Sequence, residues 1–92
     1  MDRIQAMQMF MRVAEAGSFV RAAETLSLPA STVTSTIKNL EKYLKVRLLN
    51  RTTRRVSLTP EGMQYLAQCR EILALIEHSE STLSESVARP QG

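Results

Sequence analysis

The stretch Ser18–Leu44, reading SFVRAAETLSLPASTVTSTIKNLEKYL, leaves this chain little conformational freedom. Two apolar stripes of helical period are separated by a break at Ser27-Leu28-Pro29. In the first stripe Phe19, Ala22, Ala23 and Leu26 share a face, and Ser18 stands where a hydroxyl can cap the leading N–H groups. In the second, Val33, Ile37, Leu40 and Leu44 step by four, three and four. Pro29 lacks an N–H and fits a turn or a first helical turn, so the second helix is expected from about Ala30 to Leu44. Two helices this short must bury their stripes against the rest of the chain.

The polar side of the second helix carries the functional signal. At 100° per residue, Ser31, Ser35, Lys38 and Lys42 cluster opposite the apolar stripe, with Thr34 and Lys45 on one shoulder and Thr32 and Asn39 on the other. The centre of this face holds no acid. Small hydroxyl side chains let a helix approach base edges closely, and lysines suit phosphates. Two short helices, a tight turn and a polar second helix make a helix-turn-helix. The alternative is a pair of core helices whose polar face is simply solvated.

Charge is distributed unevenly around this unit. Residues 1–58 hold ten Lys and Arg against four Asp and Glu, a surplus of six, whereas 59–92 hold two against five. The first part is therefore the one suited to a polyanion. A single Cys permits no intrachain disulfide and fits a reducing cytosol, and no apolar run reaches membrane-spanning length. A soluble, cytoplasmic protein is expected. Ninety-two residues with no Trp make one small core filled by aliphatics and five Met.

Residues 2–16 form an earlier helical pattern with Ile4, Met7, Phe10, Met11 and Ala14 on one face, and Gly17 as its stop. That Met-rich face reads as core support, with a ligand or partner surface as the alternative. Arg12 and Arg21 lie outside the apolar stripes and read as solvated, although either could touch phosphate. After Leu44 the period changes. Leu48 and Val56-Ser57-Leu58 carry a short period-two signal around Asn50-Arg51-Thr52-Thr53-Arg54-Arg55, which reads as a two-stranded wing with a basic tip. Three guanidiniums within five residues call for an anion, and Arg enters narrow minor grooves well. A solvated charged loop is the competing interpretation.

Thr59-Pro60-Glu61 opens a last helix, with Thr59 as cap and Pro60 at the first helical position. Gly62 in its first turn has no explanation in the sequence. Leu66, Cys69, Leu73, Ile76, Glu80, Leu83 and Val87 follow at steps of three and four, the spacing of a coiled-coil seam. A helix of about 25 to 29 residues is about 38 to 44 Å long, more than a small core can cover. Its distal half is expected to need a partner, most simply a second copy of the chain, with folding back on its own domain as the alternative. Leu66, Cys69, Leu73, Ile76 and Leu83 are the dimerisation candidates. Cys69 reads as a small apolar residue rather than a redox switch, and His78 is given no role. The division expected is a DNA-binding domain over 1–58, a linker and dimerisation helix over 59–88 and a frayed tail over 89–92.

These residues together resemble the N-terminal DNA-binding domain of LysR-type transcriptional regulators. The resemblance runs from Ile4 to about Val87. It rests on Phe10 with Val13-Ala14, Gly17-Ser18-Phe19, Ala22-Ala23, Leu26, Ser31-Thr32-Val33-Thr34, Ile37, Leu40-Glu41, Leu44 and Val46-Arg47-Leu48-Leu49. Arg51-Thr52-Thr53-Arg54-Arg55, Leu58-Thr59 and Glu61-Gly62 complete it. The resemblance implies a mainly α fold, a winged helix-turn-helix of three helices and a two-stranded wing, followed by a long helix that makes a homodimer. It also implies a partly palindromic, often AT-rich double-stranded DNA partner. Carried over, Ser31, Thr32, Thr34, Ser35 and Lys38 would lie at the major groove, and Arg51, Thr52, Thr53, Arg54 and Arg55 would form wing contacts. Ser18 would cap its helix and meet phosphate, and Lys42 joins the phosphate candidates by its position.

The chain departs from the family in three places. Pro29-Ala30-Ser31 stands where many relatives carry Ser-Gln-Pro, Ser35 where many carry Arg, and Lys45 where Gly is common. Base-reading Gln and Arg are thus absent, which shifts weight to hydroxyl, shape and wing contacts. The family's larger effector-binding domain has no counterpart here. The chain is expected to be a truncated portion of a longer protein, or a stand-alone domain, with any small-molecule effector acting outside it. No cofactor, metal or membrane partner is expected. A dimeric protein-interaction module is the competing function, poorly matched to the wing arginines. An enzyme is the weakest class, because no phosphate loop, metal-ligand cluster or nucleophile–base pair can be placed. Double-stranded RNA fits worse than B-form DNA, since its deep groove excludes a helix.

Overall fold

The computed structural model describes residues 1–52 and 55–88, with side chains through Val87. Helices α1 (Arg3–Ala16), α2 (Phe19–Leu26) and α3 (Ala30–Leu44) come first. Strands β1 (Leu49–Arg51) and β2 (Val56–Leu58) and helix α4 (Pro60–Ala88) follow. The expected architecture is borne out, a mainly helical winged helix-turn-helix with a long last helix.

Local chemistry sets the boundaries. Asp2 is the cap of α1, its carboxylate accepting from the Gln5 N–H at 3.1 Å, so the helix starts one residue later than its sequence pattern. Gly17 ends it at φ 67°. Ser18 caps α2 by accepting from the Arg21 N–H at 3.3 Å. Ser27 and Lys45 close α2 and α3 in the left-handed region, at φ 56° and 57°. Lys45 thus adopts the conformation that glycine accepts most readily.

The core lies between α1 and the three elements packed on it. Phe10 and Val13 from α1, Ala22 from α2, and Val33, Ile37 and Leu40 from α3 are fully buried. The expected face of α1 needs correction. Ile4 is 47% exposed and Met11 and Ala14 are only half-buried, whereas Ala6, Met9 and Val13 are inside. One helix that touches α2, α3 and α4 buries a broader and rotated face than a single stripe.

The wing pairs antiparallel, Leu49 with Leu58, Asn50 with Ser57 and Arg51 with Val56. Leu48, expected within the alternating strand pattern, lies before β1, and both Leu48 and Leu49 are buried. Thr59, itself buried, holds the wing to α4. Its hydroxyl accepts from the Gly62 N–H at 2.9 Å and donates to the Arg47 carbonyl at 2.7 Å. Gly62 gains its reason here, since a Cβ would overlap the Leu48 carbonyl oxygen.

Helix α4 changes environment along its length. Tyr65 packs against Phe10 with ring centroids 5.5 Å apart, and Leu66 and Cys69 are buried in the chain's own core. These two residues, expected on the seam between copies, are therefore spent on the monomer. Leu73 and Ile76 are half-buried, and from Glu77 to Val87 every residue is exposed. The distal half does not fold back. It extends the molecule to 61 Å against cross-dimensions of 26 and 21 Å.

Candidate nucleic-acid interface

Burying Val33, Ile37 and Leu40 turns the opposite side of α3 to solvent. Ser31, Thr32, Ser35, Lys38 and Lys42 are exposed there, and Thr34 is half-buried at the edge. Among the described residues, no side-chain hydrogen bond occupies the hydroxyls of Ser31, Thr34 or Ser35. They remain available to base edges or to ordered water. Thr36 is not part of this face, since its hydroxyl donates back to the Thr32 carbonyl at 2.8 Å. Glu41, the one acid on α3, is turned away and its side chain is 16% exposed.

Beside α3, the turn from α1 into α2 approaches the base of β2. The Val56 N–H donates to the Gly17 carbonyl at 3.4 Å. This contact brings Arg55 next to Arg21 and Ser18 around an open cleft of about 580 Å³. Two guanidiniums meet there at the positive end of α2. Arg21, assigned by sequence only to a solvated face, thus joins the basic cluster. Residues 34 positions apart become neighbours through the hairpin's return, and no local pattern could have revealed this.

The wing residues divide. Arg55 is exposed. Thr52 braces the turn, its hydroxyl donating to the Arg55 carbonyl at 2.9 Å and accepting from the Arg55 N–H at 3.1 Å. Arg51 is committed inward, with one nitrogen 2.9 Å from Glu41 Oε1 and its guanidinium 5.2 Å from the Phe19 ring centre. The expectation that Arg51 and Thr52 reach outward like Arg55 is corrected accordingly, because their polar atoms already have partners. Thr53 and Arg54 lie outside the described residues, as does the expected tail over 89–92.

Two perturbed titratable groups sit far from this surface, under α4. Burial, with Cys69 alongside, pushes the Tyr65 phenol up to about 12. Burial also raises the Cys69 thiol above its ordinary value, which keeps it protonated and unreactive at neutral pH. On the flank between α1 and α4 runs a groove of about 720 Å³, with Ile4, Met11, Leu26, Leu73 and Ile76 in its lining. Among the described residues, no helix is long and apolar enough to cross a membrane.

The family model for the bacterial regulatory helix-turn-helix protein, lysR family, matches residues 4–63, spanning the three helices, the wing and the start of α4. The chain belongs to the lysR family. An HTH-type transcriptional repressor of Pseudomonas aeruginosa (strain UCBPP-PA14) is 48% identical over 92 residues, which is 100% of this chain and 29% of that protein. The crystal structure of the BenM DBD with catB site 1 DNA matches with TM-score 0.92 and 27% identity, covering 96% of this chain and 98% of that one. The crystal structure of the CbnR DBD–DNA complex matches with TM-score 0.87 and 35% identity, covering 94% and 98%. This lysR-family chain therefore spans under a third of the length of the curated relative and nearly all of those two solved domains.

Proposed function

We propose that the chain binds double-stranded DNA as a homodimer and supplies the DNA-reading part of a transcription regulator. The observation that carries this reading is the exposed, acid-free face of α3 beside the Ser18, Arg21 and Arg55 cluster. Support comes from two solved domains of matching fold that are described as DNA complexes. In this reading Ser31, Thr32, Thr34, Ser35 and Lys38 face the major groove. Lys42, Ser18, Arg21 and Arg55 meet phosphates, and Thr53 and Arg54 belong to the same wing. Leu73, Ile76 and Leu83 pair α4 with a second copy, joined by the exposed Ile72, Leu75 and Val87. No enzymatic step and no cofactor enter, the work is done in the cytoplasm, and a small-molecule effector acts only through parts of a longer protein outside this chain.

The test is a titration of the chain against a library of inverted-repeat duplexes at several salt concentrations, with sedimentation in parallel. The expected result is a dimer that selects two half-sites about one helical turn, or a multiple, apart. Affinity should fall steeply with salt. A flat salt response, or a monomer indifferent to every duplex, overturns the proposal.

A further inference from the structure

The wing is held to the body on both strands. On β2 the attachment is the Val56–Gly17 hydrogen bond. On β1 it converges on one carboxylate. Glu41 Oε2 accepts from the Leu48 N–H at 2.8 Å and the Leu49 N–H at 3.2 Å, and Oε1 takes the Arg51 guanidinium at 2.9 Å. The far face of that guanidinium lies over Phe19 of α2. Glu41 therefore satisfies two backbone donors that precede the ladder and pins the first strand to the reading helix. Arg51 extends the same clamp to the other helix of the motif. A charge-assisted bond of this geometry, three-quarters or more shielded on the carboxylate side, is rigid enough to set a register.

We propose that Glu41 and Arg51 are positioning residues, which fix the wing relative to α3 so that Arg55 falls at the spacing a duplex requires. Arg51 then acts through Glu41 and Phe19 and makes no phosphate contact of its own. This rests on the DNA-binding reading above. It inverts a simple electrostatic expectation. Glu41 is an acid beside a surface meant for a polyanion, so charge alone says its removal should tighten binding.

The experiment measures duplex binding and amide hydrogen exchange on the wild-type chain and on Glu41→Gln, Arg51→Gln, Arg51→Lys and the Glu41→Gln/Arg51→Gln pair. Glu41→Gln is expected to weaken binding about fivefold despite losing a negative charge, and the double variant to bind no worse than either single one, as coupled neighbours do. Arg51→Lys keeps the charge but loses the planar fork, so it should behave like Arg51→Gln. Exchange at Leu48, Leu49 and the β1–β2 amides should quicken about tenfold in Glu41→Gln while α1 amides hold. Tighter binding by Glu41→Gln overturns the proposal. So does rescue by Arg51→Lys, or a salt slope that drops by about 0.9 in Arg51→Gln, the mark of one lost phosphate contact. If the wild-type chain binds no duplex, the DNA reading fails, and the exchange pattern still decides whether the clamp holds the wing. A variant that unfolds globally loses α1 protection too, and Arg51→Lys, the mildest change, then decides by its wing exchange alone.

Discussion

Lys45 ends α3 at φ 57°, a conformation that costs an ordinary residue about 1–2 kcal/mol relative to glycine. Lys45→Gly relieves that strain and gives back some of the gain as unfolded-state entropy. A net stabilisation of about 0.5–1 kcal/mol is expected, read as a higher urea midpoint at unchanged slope. Gly62 behaves oppositely. Gly62→Ala forces a Cβ against the Leu48 carbonyl and should cost about 1–3 kcal/mol, although alanine is the better helix former. Tyr65 and Cys69 give the molecule an alkaline limit. Both groups hold their protons more tightly when folded than at their ordinary values of 10.0 and 9.0. Below about pH 9 both states are protonated and the stability is whole. As pH rises toward about 12, the unfolded chain releases protons that the folded one keeps, and stability falls. Urea midpoints at neutral and alkaline pH should therefore decline with pH, and Tyr65→Phe should flatten the decline.

The elements differ in how much of their role the sequence disclosed. Helix α3 was legible from end to end, because a stripe at Val33, Ile37 and Leu40 fixes its buried side and so its exposed one. The wing was legible as a hairpin but not in the use of its arginines. Arg51, Arg54 and Arg55 are chemically alike in the sequence, and only the approach of Glu41 from α3 sets Arg51 apart. Helix α4 showed one continuous apolar repeat that in fact serves two environments. Periodicity marks which residues share a face and not what covers that face. Leu66 and Cys69 are covered by α1, whereas Leu83 is 67% exposed. Substitutions along the repeat should thus separate. Leu66→Ala creates a core cavity and is expected to lower stability by about 2–5 kcal/mol. Leu83→Glu leaves the fold intact, as thermal unfolding at high dilution would report. It shifts sedimentation toward the monomer and weakens duplex binding through the lost second reading head.

At the scale of the molecule, the basic residues act at two ranges. Arg21 and Arg55 come from helix and hairpin, yet they flank one cleft and point to a phosphate strand running past the end of α3. The hydroxyls of Thr34 and Ser35 offer no net charge and discriminate only through hydrogen-bond geometry against base edges. These two groups should fail differently. An Arg21→Ala/Arg55→Ala pair is expected to weaken binding to every duplex alike and to lower the slope of log affinity against log salt by about 1.8 for two phosphate contacts per chain. Ser35→Ala or Thr34→Val should leave that slope unchanged and redistribute preference among half-site sequences, each altered position shifting by about 1–3 kcal/mol. Parallel salt titrations on one selected duplex and one scrambled duplex read both effects. A uniform loss from Ser35→Ala, or a change of sequence preference from the arginine pair, would mean that α3 is not the reading element.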